Sequence, residues 1–233
     1  MARTPVRNMT EAIPFEKARR EMIDWQLRRR GIRDERVLEA MFHVPRHEFV
    51  PEVSVYAAYE DRPLPIGDSE TISQPYIVAA MTQALSVQPG EKVLEVGTGS
   101  GYQGAILAYL GGKVYSVERN PRLADEALRR LVRLGFTGVE VICGDGSEGY
   151  AEAAPYQAII VTAAAPHVPE ALFGQLAEEG RIIIPVGGLG HQDLLLLTKH
   201  GDQVATRALD PCQFVPLIGK GGWPDKSSWL EQF

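Results

Sequence analysis

The chain contains 233 residues, of which 45% are hydrophobic and 23% charged, with a formal net charge of −6 at pH 7. This length suits a single domain with an ample core, and the acidic balance argues against nucleic-acid binding through bulk electrostatics. Two cysteines are too few for a metal cluster, and Cys143 is expected to be a buried thiol. Because no apolar run reaches 18 residues and the N-terminus lacks a signal-peptide block, the sequence predicts a cytoplasmic protein without a membrane span.

The N-terminal region predicts two short amphipathic helices. Residues 1–13 are expected to form a poorly ordered tail, and a helical apolar stripe then covers residues 15–30 until Gly31 stops it. The arginines of this stretch are interspersed with acids, which favours a solvated helix face over a phosphate-binding patch. Asp34 is expected to cap a second helix over residues 34–42. We expect these helices to cover the sheet edge or the functional site.

A region without regular periodicity separates these helices from the next one. Residues 50–75 are rich in proline, tyrosine and acids, which predicts extended chain and turns. Helical periodicity returns over residues 76–85, and Pro75 suits the first turn of that helix. Ser73 or Gln74 is then placed at the N-cap. On spacing alone, a capping role for Ser73 is favoured over a catalytic one.

The remainder of the chain alternates strand and helix patterns. Strands separated by helices form parallel βαβ units with right-handed crossovers, whereas the short link at residues 199–202 permits only a hairpin. The sequence therefore predicts an α/β fold, with a doubly wound, mostly parallel seven-stranded Rossmann-like sheet, an antiparallel C-terminal hairpin and an N-terminal helical extension. Strands are predicted near residues 92–96, 113–118, 139–143, 157–162, 181–186, 192–198 and 203–209, and helices near residues 103–110, 121–134, 147–152 and 169–177.

The most informative motif is a glycine turn between the first of these strands and the helix that follows. Glycine occupies every second position of residues 97–101. Because glycine lacks a Cβ atom and accepts positive φ angles, the backbone of this turn can approach a ligand closely. The first amides of the next helix point into the same crevice. A dinucleotide fingerprint requires glycine at position 102, where this chain has Tyr102.

Acidic residues near three successive strand ends indicate the ligand. Glu95, just before the turn, disfavours a pyrophosphate and favours a ligand that carries ammonium and sulfonium cations, such as S-adenosylmethionine. Glu118 ends the second strand at about the 20-residue distance expected of a ribose-binding carboxylate. Asp145 follows the third strand, near the expected position of an adenine amino group. The combination predicts S-adenosylmethionine as the cofactor.

Several segments, in this order and spacing, resemble the protein-L-isoaspartate O-methyltransferase family. The glycine turn alone would indicate only a class I methyltransferase. The serine-containing segment, the Ala-Ala-Ala-Pro strand end and a Val-Pro-Leu segment narrow the resemblance, which extends from the first helix to Leu217. Residues 1–13 and 219–233 match no family pattern. The glycine-rich residues 219–224 predict a flexible exit, and Trp229 and Phe233 are expected to pack back onto the domain. The matching segments are residues 71–75, 94–102, 117–119, 144–146, 163–166, 184–187 and 214–217.

The resemblance implies methyl transfer from S-adenosylmethionine to the free α-carboxylate of L-isoaspartyl residues in damaged proteins and peptides. The products are S-adenosylhomocysteine and a methyl ester that closes spontaneously to a succinimide. A carboxylate with a pKa near ~4 is ionised at neutral pH, so the reaction needs no strong general base. The five histidines share no triad or metal-ligand spacing, and no metal is expected, although His167 lies beside the implied site.

The resemblance also implies a division of the chain and a set of site residues. A single domain is expected, with a tail at residues 1–13, a site-covering extension at 14–75, a cofactor-binding core at 76–218 and a C-terminal tail at 219–233. It is expected to be a monomer that binds isoaspartyl proteins and peptides, without a nucleic-acid or membrane partner. Ser73 is the implied catalytic residue, the cofactor-binding residues are Glu95, Gly97, Thr98, Gly99, Ser100, Gly101, Glu118, Arg119, Asp145 and Gly146, and the substrate-binding residues are Thr71, Ile72, Ser73, Gln74, Ala164, Ala165 and Val215.

Three other functions remain open at the level of sequence. Another class I methyltransferase acting on RNA or a small molecule would show a basic groove or stacking aromatics around its cleft. A nicotinamide oxidoreductase is disfavoured by Glu95 and Tyr102, and the cofactor that raises the melting temperature would distinguish it. A non-catalytic module with the cofactor fold is disfavoured by the three strand-end acids.

Overall fold

The computed structural model describes residues 13–224 with the exception of positions 189 and 202. The predicted N-terminal tail therefore lies outside the described residues, except for Ile13, and so do Trp229 and Phe233, which were expected to pack back onto the domain. The helices are α1 (Ile13–Glu21), α2 (Glu35–His43), α3 (Pro75–Leu85), α4 (Tyr102–Tyr109), α5 (Pro121–Leu134) and α6 (Glu170–Gly174). The strands are β1 (Leu64–Gly67), β2 (Glu70–Ile72), β3 (Lys92–Val96), β4 (Lys113–Glu118), β5 (Val139–Cys143), β6 (Tyr156–Val161), β7 (Leu176–Gly188), β8 (His191–His200) and β9 (Gln203–Cys212).

Seven of the described strands form one sheet in the order β5-β4-β3-β6-β7-β8-β9. Strands β5, β4, β3, β6 and β7 pair in parallel, and β8 and β9 are antiparallel to their neighbours. The predicted doubly wound sheet with an antiparallel C-terminal hairpin is confirmed. The strand order reverses at β3, which lies between β4 and β6. Such a switch point opens a crevice at the carboxyl ends of the strands.

The sheet is buried on both faces, as parallel sheets require. Along β6, Ala158 and Ile160 join one apolar cluster, whereas Ile159 and Val161 join the other. This alternation follows from the two-residue period of a strand, which sends successive side chains to opposite faces. All four side chains are fully buried. The core therefore consists of two apolar layers that hold the central strand ends at fixed positions.

Helix α5 shows how local signals set an element that the sequence predicts accurately. The Asn120 side chain accepts hydrogen bonds from the backbone N–H of Arg122 and Leu123. Pro121 occupies the first helical turn, and Gly135, with a φ of +83°, ends the helix. Capping, a pre-formed φ angle and a left-handed C-terminal residue all agree. The helix consequently covers the predicted residues.

Other boundaries differ from the predictions. The first helix was predicted as one element over residues 15–30. It is instead divided into α1, a π-helix at Met22–Leu27 and a 3-10 turn at Arg28–Arg30, and Gly31, whose backbone is left-handed, ends it. The helix predicted over residues 147–152 is instead a pair of 3-10 turns. Strand β7 begins earlier and α6 is shorter than predicted, and the hairpin of β1 and β2 was expected only as extended chain and turns.

Two predictions about the environment of residues are wrong. Cys143 is exposed rather than buried, because it is the last residue of β5, at the edge of the sheet. The part of the C-terminal tail at residues 219–223 is an ordered turn rather than a flexible exit. Its Trp223 backbone N–H donates to Leu217 at 2.7 Å, and the indole N–H donates to the carbonyl of Ala164 at 3.1 Å.

The start of α3 is held by residues of β9 and of the N-terminal layer, which is the part of the chain from residue 13 to residue 63. The Asp61 carboxylate accepts a hydrogen bond from the Tyr76 backbone N–H at 3.0 Å and forms an ion pair with Arg30 at 2.5 Å. The Arg30 guanidinium lies 3.4 Å from the centroid of the Tyr76 ring, and the Tyr76 hydroxyl donates to Asp210 at 2.8 Å. Neither Ser73 nor Gln74 provides a side-chain cap, since Gln74 is the N-cap residue and its side chain makes no capping bond.

In the described part of the chain, no helix is both long enough and apolar enough to cross a membrane. The same residues contain no grouping of three or more histidine, cysteine, aspartate or glutamate side chains that could hold a metal ion.

We predict that Asp61 acts as the missing cap of α3. Asp61→Ala should reduce the free energy of unfolding by about 0.5–2 kcal/mol, the usual effect of losing an N-terminal cap. Urea denaturation measures this change. Glu60→Ala is the matched control, because the Glu60 carboxylate is 57% exposed and, among the described residues, pairs only with Arg62. This substitution should change stability by less than ~0.5 kcal/mol. Equal effects of the two substitutions would contradict the capping role.

Candidate active site

A cleft opens at the carboxyl ends of β3, β4 and β6, where the strand order reverses. Its volume is about 860 Å³, including the part that is open to solvent. The glycine turn forms one wall, and residues 70–73 at the end of the β1–β2 hairpin form another. The segment at residues 215–218 lies along a third side. The switch point therefore brings together distant parts of the sequence.

The glycine turn needs its glycines for conformation and for space. Gly97, Gly99 and Gly101 have φ angles of 93°, 51° and 87°. A Cβ atom at Gly97 would lie 2.4 Å from the hydroxyl oxygen of Thr162, which donates a hydrogen bond to the Gly97 carbonyl at 2.7 Å. The turn is thus fixed to the end of β6, and its backbone is open to the cleft. A ligand can approach this backbone more closely than side chains would allow.

Glu118 lies at the end of β4 and lines the cleft. Its two carboxylate oxygens accept backbone hydrogen bonds from Gly99 and Asn120, each at 2.9 Å. These bonds orient the carboxylate beside the glycine turn. Each oxygen of an ionised carboxylate has a further lone pair. Glu118 can therefore accept two neighbouring ligand hydroxyls, as a ribose presents them.

Glu95 is not in the cleft. Its side chain is fully buried on the face of β3 that packs against α4, where a Cβ atom at Gly104 would lie 2.8 Å from the carboxyl oxygen. Ser116 donates a hydrogen bond to Glu95 and is itself 2.6 Å from the Thr98 hydroxyl. Burial raises the pKa of Glu95 to about 8, which makes it neutral at pH 7. The expected attraction of a cationic ligand is not supported by this position.

Asp145 does not line the main cleft either, although the neighbouring Gly146 does; it lines an adjoining cleft that shares Arg119 and Ile218 with the main one. One carboxylate oxygen accepts hydrogen bonds from the backbone and the hydroxyl of Ser147 at 2.9 and 2.6 Å, and the other accepts from the Lys220 backbone at 2.8 Å. Burial alone would raise the pKa of Asp145, but these hydrogen bonds lower it overall. Asp145 thus holds the turn at residues 219–223 against the end of β5.

The serine segment lies across the cleft from the glycine turn. Thr71, Ile72 and Ser73 line the cleft, and Ser73 is half-buried. Within the described part of the chain, the Ser73 hydroxyl makes no hydrogen bond, whereas its carbonyl accepts one from the Arg46 guanidinium at 2.7 Å. Because this hydroxyl caps no helix, it is free to bind a ligand.

The Ala-Ala-Ala-Pro segment at residues 163–166, just after β6, pairs with the segment that lines the third side of the cleft. The Ala164 backbone N–H donates to Val215 at 2.7 Å, and its carbonyl accepts from the Leu217 backbone at 2.8 Å. Ala164 and Ala165 are buried and do not line the cleft, whereas Ala163 and Val215 do. Ala164 therefore acts through the backbone of residues 215–217, whereas the Ala165 backbone pairs with residues 185–187 at the end of β7.

Taken together, the structure places most of the predicted site residues around one cleft. Glu95, Gly101, Asp145, Gln74, Ala164 and Ala165 do not line it. His167 is exposed and also lies outside the lining. The polar position of Thr162 just after β6 is a signal that sequence reasoning could have used, whereas Val78 and Met81 resemble ordinary core residues. The lining residues that were not predicted are Glu70, Val78, Met81, Val96, Tyr102, Gln103, Val117, Thr162, Ala163, Pro216, Leu217 and Ile218.

We predict a pH dependence that comes from Glu95. Its pKa is raised from 4.5 to about 8 in the folded protein, so the native state holds a proton that the unfolded chain releases within this window. The free energy of unfolding should therefore fall as the pH rises from about 4.5 to about 8. Glu95→Gln should remove this contribution, so that its stability relative to the native sequence rises by more than ~1 kcal/mol between about pH 5 and about pH 8.

Denaturation curves at the two pH values measure this difference. Glu140→Gln, at an exposed position of β5, serves as the control and should leave the pH profile unchanged. Parallel profiles of the native sequence and the Glu95→Gln variant would show that Glu95 is not neutral in the folded state.

Comparison with known sequences identifies the family. The family model described as protein-L-isoaspartate(D-aspartate) O-methyltransferase matches residues 17–222. The protein-L-isoaspartate O-methyltransferase of Methanoculleus marisnigri is 54% identical, covering 94% of this chain and 99% of its own length. The protein-L-isoaspartate O-methyltransferase of Methanospirillum hungatei is 52% identical, covering 91% of this chain and 97% of its own length.

Solved structures of this family are also similar to the chain. A protein-L-isoaspartate O-methyltransferase superposes with a TM-score of 0.80 at 32% identity, covering 88% of this chain and 67% of its own. A candidate protein-L-isoaspartate O-methyltransferase of Plasmodium falciparum, in complex with S-adenosyl-L-homocysteine, has a TM-score of 0.74 at 27% identity, covering 88% and 98%. The chain therefore belongs to the protein-L-isoaspartate O-methyltransferase family of S-adenosylmethionine-dependent enzymes.

Proposed function

We propose that this chain methylates the free α-carboxylate of L-isoaspartyl residues in damaged proteins and peptides. The observation that carries the proposal is the position of the Ser73 hydroxyl, which lines the same cleft as Glu118 and the glycine turn. S-adenosylmethionine supplies the methyl group as a sulfonium electrophile when it is bound. The amide nitrogen that joins the isoaspartyl residue to the next residue then attacks the ester carbonyl, methanol leaves, and a succinimide forms without further help from the protein.

The glycine turn and the strand ends are proposed to hold the cofactor. Glu118 accepts the ribose hydroxyls, because its carboxylate is oriented beside the turn by two backbone hydrogen bonds. The open backbone at residues 97–100 contacts the remainder of the ligand, with Arg119 and Gly146 beside it. Gly101 completes the turn. Asp145 acts at the adenine end by fixing the turn at residues 219–223, and Glu95 supports the glycine turn from beneath.

On the substrate side, residues 71–73 and Val215 are proposed to bind the isoaspartyl residue. The substrate carboxylate has a pKa near ~4 and is already ionised, so no protein group needs to remove a proton. The Ser73 hydroxyl donates a hydrogen bond to one carboxylate oxygen and holds the other toward the methyl group. Orientation of this kind contributes roughly 7–11 kcal/mol to such reactions.

The proposal also covers the cellular setting. The acidic net charge of −6 supports a protein partner rather than a nucleic acid. We place the enzyme in the cytoplasm as a monomer whose partners are isoaspartyl proteins and peptides.

Labelled S-adenosylmethionine and two peptides that differ only in isoaspartate or aspartate test this function. Label should enter the isoaspartyl peptide and not its aspartyl counterpart. Equal labelling of both peptides, or labelling of RNA in their place, would contradict the proposal.

We predict that Glu118→Ala weakens S-adenosylmethionine binding by about 1.5–3 kcal/mol, the usual contribution of hydrogen bonds to a charged group. Calorimetry on the folded variant measures the affinity. Glu140→Ala removes the same charge from the exposed face of β5 and should bind normally. Unchanged affinity in Glu118→Ala would disprove the ribose assignment. A larger loss of affinity in Asp145→Ala than in Glu118→Ala would mean that Asp145 binds the ribose hydroxyls and Glu118 acts at the adenine end.

We predict that Ser73→Ala lowers kcat/KM for the isoaspartyl peptide, while cofactor affinity and melting temperature change little. The loss should be at least ~10-fold, because the hydroxyl binds a charged oxygen. Ser73→Thr should recover part of the activity, since it keeps the hydroxyl. Ser54→Ala is the control, because Ser54 is also half-buried and lies outside the cleft. A Ser73→Ala variant that is less stable but fully active would return Ser73 to a structural role.

A further inference from the structure

Arg46 is an unusual side chain in this protein. It follows Pro45 in the 3-10 turn Arg46–Phe49 and is the largest of the fully buried side chains among the described residues. Burial lowers the pKa of Arg46 to about 10, so the guanidinium is still charged at neutral pH. Burying a charge is strongly unfavourable because its hydration is lost, unless good partners compensate it. Arg46 therefore needs an explanation beyond simple packing.

Its partners are backbone carbonyls rather than acids. The Nε atom donates to the carbonyl of Ala58 at 2.7 Å, and Nη2 donates to the carbonyl of Ser73, also at 2.7 Å. The described salt bridges include none at Arg46, and its Nη1 atom is buried without a hydrogen-bond partner among the described residues. The guanidinium lies 5.0 Å from the centroid of the Tyr102 ring. Arg46 thus connects the N-terminal layer, the serine segment and the first residue of α4.

The bond to Ser73 acts at a sensitive point of the chain. β2 ends at Ile72, and α3 begins at Pro75, so Ser73 lies in the short link between them. Asp61 holds the far end of this link through the Tyr76 backbone N–H. Fixing the Ser73 carbonyl fixes the adjoining peptide plane, since a peptide unit is rigid. Holding this plane fixes the position of the Ser73 Cβ atom, from which the hydroxyl reaches the cleft.

We propose that Arg46 is a positioning residue for methyl transfer, holding the backbone of Ser73 so that its hydroxyl meets the substrate carboxylate. This inference rests on the proposed role of Ser73. The planar fork of a guanidinium reaches two carbonyls in fixed directions, which a lysine ammonium cannot reproduce. The Arg46 guanidinium also contacts Tyr102, which follows the glycine turn. One side chain thus fixes the serine segment relative to the cofactor-binding wall.

The test compares Arg46→Lys with Arg181→Lys. Arg181 is the control, because it also donates to backbone carbonyls, those of Leu85, Ser86 and Gln157, none of which lines the cleft. Unlike Arg46, it also forms an ion pair, with Glu91. Turnover of the isoaspartyl peptide is normalised to S-adenosylhomocysteine sites counted by calorimetry, so partial unfolding does not count as lost activity. Arg46→Gln, which retains one donor group, replaces the lysine variant if that variant fails to fold.

We expect Arg46→Lys to lower kcat about 10- to 100-fold, the size of effect that a displaced catalytic group produces. Affinity for S-adenosylhomocysteine should stay within ~3-fold, and Arg181→Lys should lose stability but keep its kcat. In a Ser73→Ala background, Arg46→Lys should cause little further loss, because the two residues act as one unit.

A normal kcat in Arg46→Lys would overturn the positioning role. The positioning role would also be overturned if the activity loss of the double variant were the product of the losses of the two single variants. Arg46 would then act by a route other than Ser73. Failure of the underlying proposals looks different. A fully active Ser73→Ala would remove the role of Ser73, and equal methylation of both peptides by the native sequence would remove the proposed function.

Discussion

The left-handed backbone of the glycine turn is the constraint on which the rest of the site depends. Three glycines in the turn adopt positive φ angles, and the first of them leaves no space for a side chain beside Thr162. Because the turn is held this closely, the Gly99 backbone N–H reaches the carboxylate of Glu118 at 2.9 Å. The end of β3, the end of β4 and the end of β6 are thereby joined through a few short polar contacts. The cleft is open beside this wall because the three glycines of the turn carry no side chains.

Around this turn, buried and half-buried polar groups connect segments of the chain rather than take part in the reaction. Asp145 links the end of β5 to the C-terminal turn, and Arg46 links the serine segment to the N-terminal layer. Glu95 is held below the turn by Ser116 and carries no charge at neutral pH. A reaction whose nucleophile is already ionised needs accurate placement more than it needs acid or base. The sparse chemistry of the cleft agrees with this requirement.

Sequence reasoning succeeded where the deciding signals are local. The boundaries of α5 follow from Asn120, Pro121 and Gly135, and the sheet follows from the alternation of strand and helix. It failed where tertiary context decides. The alternation of β3 sends Glu95 away from the cleft, which a motif does not reveal, and Cys143 is exposed because β5 is an edge strand. Arg46 resembles any other arginine in the sequence, since its partners are distant carbonyls.

The antiparallel C-terminal strands have a consequence for modification of the protein. β8 begins at the cleft end of the sheet and runs away from it, and β9 returns the chain to residues 215–218 at the cleft. With ten residues in each strand, the turn at Gly201 lies roughly 30 Å from the cleft end. This turn is exposed and joins two strands that pair along their length. A fluorescent label or an inserted domain at this turn would therefore leave the cofactor and substrate walls undisturbed.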